Sequence, residues 1–295
     1  MIDIGIDLEE LSGVVSRTVG REVRLEPLKV RCTYPVFKGD GIFVKVGPKA
    51  EWEQTKRLQE TLGDCGLMPK LLVTEPIEYL GYAVFIGEWR ESKIVFPEDF
   101  NGAQIESFAA GCVELSAKLQ KAGRGSAAVP PETEDYEVVR GYVSRHPFVG
   151  RLIAPLVAIP ESERTFGART PAVVHGDFHA KNFAFDGDRF STVYDFDKLR
   201  PGLACGDLVN ALVERYSLLS MPEAKRRRLD EVARRIFARQ PWPREELAVI
   251  ANLLRLQFAA NRIRKHPASF WVAFDILRRD RRIRRIFDII DENDY

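Results

Sequence analysis

The stretch "VVHGDFHAKNFAFDGDRFSTVYDFD", Val173 to Asp197, gathers His175, Asp177, His179, Asn182, Asp195 and Asp197 around two strand-like runs. Those runs are "FAF" and "FSTVYDF", and "DGD" between them is a turn signal in which Gly187 supplies a positive φ. A hairpin brings its outer ends together. Fully extended, the chain from Asn182 to Asp195 would span about 40 Å. Folded back, the same ends come within about 5 to 10 Å. An amide oxygen and a carboxylate then converge, a donor set that suits magnesium with room left for water and phosphate. Asp177, five residues before Asn182, adds a second carboxylate in a small polar turn after the apolar strand "PAVVH". Held beside a metal but not consumed by it, that carboxylate can accept a proton from a substrate hydroxyl. Phosphoryl transfer needs these parts, together with a cation on the phosphates.

His175-x-Asp177-x-x-x-x-Asn182 resembles the catalytic-loop signature of the protein-kinase-like fold, and Asp195-Phe196-Asp197 resembles its metal-binding Asp-Phe-Gly. The wording "HGDFHAKN" and "YDFD", with "GDL" at Gly206 to Leu208, is more similar to the aminoglycoside phosphotransferase and choline kinase branch, which phosphorylates small molecules. The resemblance spans roughly residues 20 to 215. It implies an α+β, bilobal fold: a small antiparallel sheet with one helix over residues 1–88, binding nucleotide, and a larger, mainly helical lobe over 89–295. It implies ATP and Mg2+ as cofactors and a small hydroxyl-bearing molecule as acceptor. Asp177 then stands as catalytic base, Asn182 and Asp195 as magnesium ligands, and His175 as packing for the loop. His179 stands where protein kinases place a lysine near the transferred phosphate; a solvent-facing histidine is the other reading. Asp207 steadies the catalytic loop or caps a helix.

In the first lobe, Lys45 lies inside the otherwise apolar strand "IFVKVG". Burying a charge without a partner is costly. The resemblance makes it the lysine on the α and β phosphates; an edge-strand lysine reaching to water is the alternative. Its implied partner is a glutamate on the next helix, and Glu51 shares a helical face with Leu58 and Leu62 whereas Glu53 points away. "IGEWRES" resembles the hinge, where backbone groups near Glu88 and Trp89 would meet adenine; Trp89 reads equally well as core. There is no Gly-x-Gly-x-x-Gly, and backbone amides near Arg31 to Thr33 are expected to cover the phosphates instead. Asp197 in place of glycine disfavours the flipping switch of regulated protein kinases.

Around this centre, "REVRLEPLKV", "CTYPVFKGD", "GIFVKVG", "KLLVTE" and "GYAVFIGEW" alternate like strands, with a helix after the third. Helical periodicity governs "DLEELSGVVSRTVG" near the start and most of the chain after Glu88, apart from the hairpin. With 45% hydrophobic and 29% charged residues, the 295-residue chain is expected to be soluble and to bury a core. Net charge is +1, but Met221 to Ile290 holds 18 Lys+Arg against 8 Asp+Glu. A solvated helical surface accounts for that, and an anionic substrate or surface is the sharper reading. Cys32, Cys65, Cys112 and Cys205 are too scattered for a metal knuckle and fit a reducing compartment. No signal peptide or membrane span is read, nor a nucleic-acid partner, and the cytoplasm is the expected location. Competing readings are a non-catalytic nucleotide-binding relative, a kinase of a lipid-linked or lipopolysaccharide sugar, a protein kinase, and a metallohydrolase built on His175, Asp177 and His179.

Overall fold

The computed structural model describes residues 4–28, 34–62, 66–123, 133–160, 172–196, 199–202, 206–215, 221–240 and 244–291. Arg31 to Thr33, Cys32, Cys65, Asp197 and Cys205 lie outside them. The chain divides into two compact units. The first holds Met1–Lys93 with Ala184–Gly187 and Ser191–Asp197; the second holds Ile94–Phe183, Asp188–Phe190 and Lys198–Tyr295.

The first unit opens with α1, Leu8–Val19. Asp7 caps it by accepting the N–H groups of Glu9 and Glu10, and Gly20 ends it in the left-handed region. A five-stranded antiparallel sheet follows: β1 (Glu26–Pro27), β2 (Val36–Gly39), β3 (Ile42–Gly47), β4 (Ile77–Tyr79) and β5 (Tyr82–Glu88), in the order β1-β2-β3-β5-β4. Helix α2, Lys49–Leu62, leaves after β3. Two tight turns set the registers. Asp40 and Gly41 join β2 to β3, and Leu80 and Gly81 join β4 to β5, all with positive φ, as a two-residue hairpin turn requires.

Strand alternation sorts the two faces of the sheet. Val44, Val46, Val84 and Ile86 pack on Leu11 and Val15 of α1, while Ala83 and Phe85 pack on Trp52 of α2. The expected strand "KLLVTE" is corrected. Only Leu71 in it bridges, to Gly87, and the fourth strand lies later, at Ile77–Tyr79. The Leu80–Gly81 turn fixes β4 beside the first half of β5, which leaves Leu71 only the second half.

In the second unit a short 3-10 turn, Pro97–Asp99, precedes α3 (Gly102–Gly123), α4 (Thr133–Arg145) and α5 (Pro147–Val157). β6 (Ala172–Val174) pairs with β9 (Arg200–Gly202) in a small sheet that the sequence reading does not contain. Then come α6 (Gly206–Arg215), α7 (Glu223–Arg239), α8 (Arg244–Lys265) and α9 (Trp271–Asp291). Val139, Tyr142, Ile153, Leu256, Ile263, Val272 and Ile276 form one core from α4, α5, α8 and α9.

Between β6 and β9 the chain makes the hairpin β7 (Phe183–Asp186) and β8 (Arg189–Val193), turning at Gly187 with φ 55°. β8 stops at Val193, earlier than the expected run to Phe196, because the backbone turns at Asp195, whose φ is 61°. Among the described residues no helix is long and apolar enough to cross a membrane.

Candidate active site

In the second unit the loop from His175 to Asn182 alternates anchors with polar groups. Phe178, Ala180 and Phe183 are buried, while Asp177 and His179 are partly exposed. Phe178 and Phe183 stack 5.4 Å apart, and both rings meet Phe108 of α3, at 6.3 and 4.9 Å. Phe190 of the hairpin closes the cluster edge-on, 5.1 Å from Phe108. Such aromatic pairs add about 0.5–1.5 kcal/mol each beyond their buried area. They hold both ends of the loop on a rigid helix.

The loop backbone is tied just as firmly. Asp207, in the first turn of α6, accepts the N–H of His175 at 2.6 Å and of Gly176 at 2.9 Å. Gly176 has φ 79°, a conformation costly for any residue with a side chain. His175 is buried with its ring edge-on to Phe178, and its Nδ1 accepts the Asp177 N–H at 3.3 Å. That places the neutral ring's proton on Nε2. Asn182 donates from Nδ2 to the Asp177 carbonyl at 3.0 Å, which fixes the amide and leaves its Oδ1 as the acceptor atom. His179 Nε2 lies 3.9 Å from the Asp177 carboxylate, and its Nδ1 accepts the Lys181 N–H.

The first unit contains Lys45, the lysine singled out in the sequence. Lys45 is paired across the sheet with Phe85, so it projects on the α2 face, opposite Val44 and Val46. Glu51 is in the first turn of α2, over that face. Their charged ends meet at 2.9 Å, with side chains 19% and 23% exposed. The contact is ionic and poorly aligned for a hydrogen bond. The Lys45 ammonium also lies 5.6 Å from the centre of the Phe85 ring.

The backbone near Glu88 and Trp89 is partly committed within its own unit. The Glu88 N–H donates to Lys70 O at 2.9 Å and the Trp89 N–H to Gly41 O at 2.8 Å. Both donors are used inside the sheet and are not available to a purine. The Trp89 side chain is half-buried, and the Glu88 carboxylate lies 3.5 Å from Arg90.

Beyond Trp89 the chain is fastened to the hairpin residues of the same unit. Arg90 donates to the carbonyls of Gly66 and Ser191, the hydroxyls of Ser92 and Tyr194 meet at 2.8 Å, and Lys93 and Phe185 exchange backbone bonds. Asp195 follows directly after Tyr194, exposed. Sequence reasoning missed Arg90, Ser92, Tyr194, Phe108 and Phe178. The apolar spacing at 178, 180 and 183 was the one visible signal.

Among the described residues no group of three or more His, Cys, Asp and Glu side chains is arranged to hold a metal, His175, Asp177 and His179 included. Asn182 in the second unit and Asp195 in the first each present oxygen donors of the kind magnesium takes.

No curated protein matches the chain by sequence. Solved structures share its fold. A choline/ethanolamine kinase family protein from Mesorhizobium loti is 18% identical, with 96% of this chain and 94% of that one covered and a TM-score of 0.53. The amicoumacin kinase hAmiN is 15% identical, with 88% of each chain covered and a TM-score of 0.56. Aminoglycoside 2'-phosphotransferase-IIIa is 11% identical, with 98% of each covered and a TM-score of 0.60. The family described as the phosphotransferase enzyme family matches residues 48–250, a span that contains Asp177, Asn182, Asp195 and Asp207. The chain belongs to the phosphotransferase enzyme family, as a small-molecule phosphotransferase with an α+β, protein-kinase-like fold.

Proposed function

We propose that the protein transfers the γ-phosphoryl group of ATP, taken as its magnesium complex, to an alcohol hydroxyl of a small molecule. The observation that carries the reading is the loop pinned by Asp207, with Asp177 and Asn182 fixed on one short piece of backbone. Asp177 orients the acceptor hydroxyl and takes its proton as the oxygen bonds to the γ-phosphorus. The bond from that phosphorus to the β,γ-bridging oxygen breaks, and ADP leaves. Asn182 Oδ1 and the Asp195 carboxylate would hold the ion, which when bound offsets charge on the phosphate oxygens. Lys45, steadied by Glu51, contacts the α and β phosphates, and His179 meets the transferred group. Residues 1–88 supply the nucleotide side and 89–295 the loop and acceptor side.

With the Glu88 and Trp89 N–H groups used in the sheet, adenine is read by carbonyls of that segment and by groups beyond it. The amicoumacin kinase, of the same fold, holds AMP-PNP, Ca2+ and Ami, which supports ATP as donor, whereas the 2'-phosphotransferase holds GDP, so GTP is tested beside ATP.

The test measures ADP release with ATP or GTP, with and without Mg2+, across aminoglycosides, sugars and amino alcohols. Mg2+-dependent transfer to one acceptor class, lost in Asp177→Ala, is expected. Tight nucleotide binding with no transfer to any class would instead make the protein a non-catalytic relative.

A further inference from the structure

We propose that the seam between α5 and α9 is a docking surface for an anionic lipid bilayer. The side chains that cover it are the wrong kind for water. Phe148 is 86% exposed, Trp271 62%, Phe274 50%, Phe270 47% and Leu152 43%. They form two rows. Phe148 and Leu152 are one turn apart on α5, and Trp271 and Phe274 are one turn apart on α9. The rows are neighbours, because Ile153 and Leu156 of α5 share a core with Val272 and Ile276 of α9. The Phe270 and Trp271 rings lie 4.5 Å apart, and Trp271 and Phe274 5.5 Å.

Leu152 also lines a cavity of about 80 Å³ between the same helices, with Leu156, Phe258 and Leu277 among its other walls and the side chains of Arg255 and Arg284 beside them. Arg151 of α5 and Arg281 and Arg284 of α9 are exposed, as are Arg145 and Lys265 at the ends of the preceding helices α4 and α8. Of the acids described on these and adjoining helices, Asp275 pairs with Arg262 and Glu134 and Asp135 pair with Arg264, while Asp288 of α9 is exposed one turn beyond Arg284.

Protruding aromatic rings ringed by cations are how a surface enters the headgroup boundary of an anionic leaflet. Insertion into lipid asks no shape complementarity of the rings, and Phe148 stands out from its helix nearly bare. Charge complementarity selects phosphate-bearing headgroups over a neutral surface. Attachment of this kind is peripheral, in keeping with helices too polar to span.

The test is co-sedimentation of the full chain with vesicles of phosphatidylcholine mixed with phosphatidylglycerol, and with vesicles of phosphatidylcholine alone. Binding to the anionic vesicles only, weakening as salt rises, is expected. The triple variant Phe148→Ser, Trp271→Ser, Phe274→Ser should bind about tenfold more weakly or worse, and Arg281→Glu with Arg284→Glu likewise. Should the triple variant fail to fold, brominated lipid provides the second reading: it should quench a component of the native protein's emission that is missing in Trp271→Phe. Absence of binding to anionic vesicles at low salt, binding unchanged in the variants, or a dimer that the aromatic substitutions abolish without any lipid binding would each overturn the proposal. Turnover of a soluble acceptor reports on the catalytic reading separately.

Discussion

The carboxylate of Asp207 spans two consecutive peptide groups, with one oxygen on the N–H of His175 and the other on the N–H of Gly176. Asparagine in its place would turn an NH2 group toward one of those donors. Hydrogen bonds to a charged acceptor are worth roughly 1.5–3 kcal/mol, so the loop loses its main tie. Asp207→Asn is expected to lower kcat about a hundredfold through misplacement of Asp177, with little change in the KM for nucleotide. Steady-state kinetics with a saturating acceptor checks the split.

Lys45 and Glu51 meet in partial burial. Lys45→Met should raise the KM for nucleotide about tenfold or more, and Glu51→Gln less, since the lysine then keeps its charge but not its direction. A double-mutant cycle on nucleotide affinity should give a coupling of about 1 kcal/mol. Additive effects would show that Glu51 does not position the lysine.

Asp177 and Asp195 should fail in different ways. Asp177→Ala is expected to retain nucleotide affinity within about threefold while transfer falls at least a thousandfold. Asp195→Ala should lose the enhancement of nucleotide binding by Mg2+. Calorimetric titration of ATP with and without Mg2+ distinguishes the two.

The hairpin, the lysine strand and the helical second half were legible in the sequence because each is a local pattern. "DGD" carries its own turn, and "IFVKVG" shows its single charge against an apolar background. Pairings between distant segments were not legible. β6 with β9 joins residues about thirty apart, and nothing in "AVV" or "RPG" names the other. The fourth strand was misplaced because "KLLVTE" is the more apolar run, yet the turn at Leu80 and Gly81 decides which residues lie against β5. Whether an N–H of Glu88 or Trp89 is open to a ligand likewise depends on Lys70 and Gly41, which the local sequence does not reveal.

Glu106 of α3 accepts from Arg239 of α7 at 2.6 Å and also pairs with Arg235. The hydrogen bond from Arg239, with help from the Arg235 charge, holds its carboxyl below the ordinary range. A depressed carboxyl adds stability that is complete above its unfolded pKa and lost as pH falls through the folded value. The Tm advantage of the native chain over Glu106→Gln should therefore shrink from about pH 6 to about pH 3. An advantage that stays constant over that window would remove the pairing as its cause.

Cys112 is buried in α3, and burial, followed by the nearby Asp207 charge, pushes its thiol well above the usual range. Thiolate is the reactive form. Mapping by mass spectrometry after iodoacetamide treatment at about pH 8 should find Cys112 unmodified in the native protein and alkylated in urea. Native labelling at the same rate as in urea would contradict its burial.

The five-stranded sheet also bears on how the protein behaves when concentrated. Its outermost members, β1 and β4, are two and three residues long, and β1 ends in Pro27, which has no N–H to offer. Among the described residues a passing chain finds no long ladder to extend, so intermolecular strand growth has a poor template there. Self-association, if it is seen at all, should then run through side chains on the helices rather than through the backbone of the sheet.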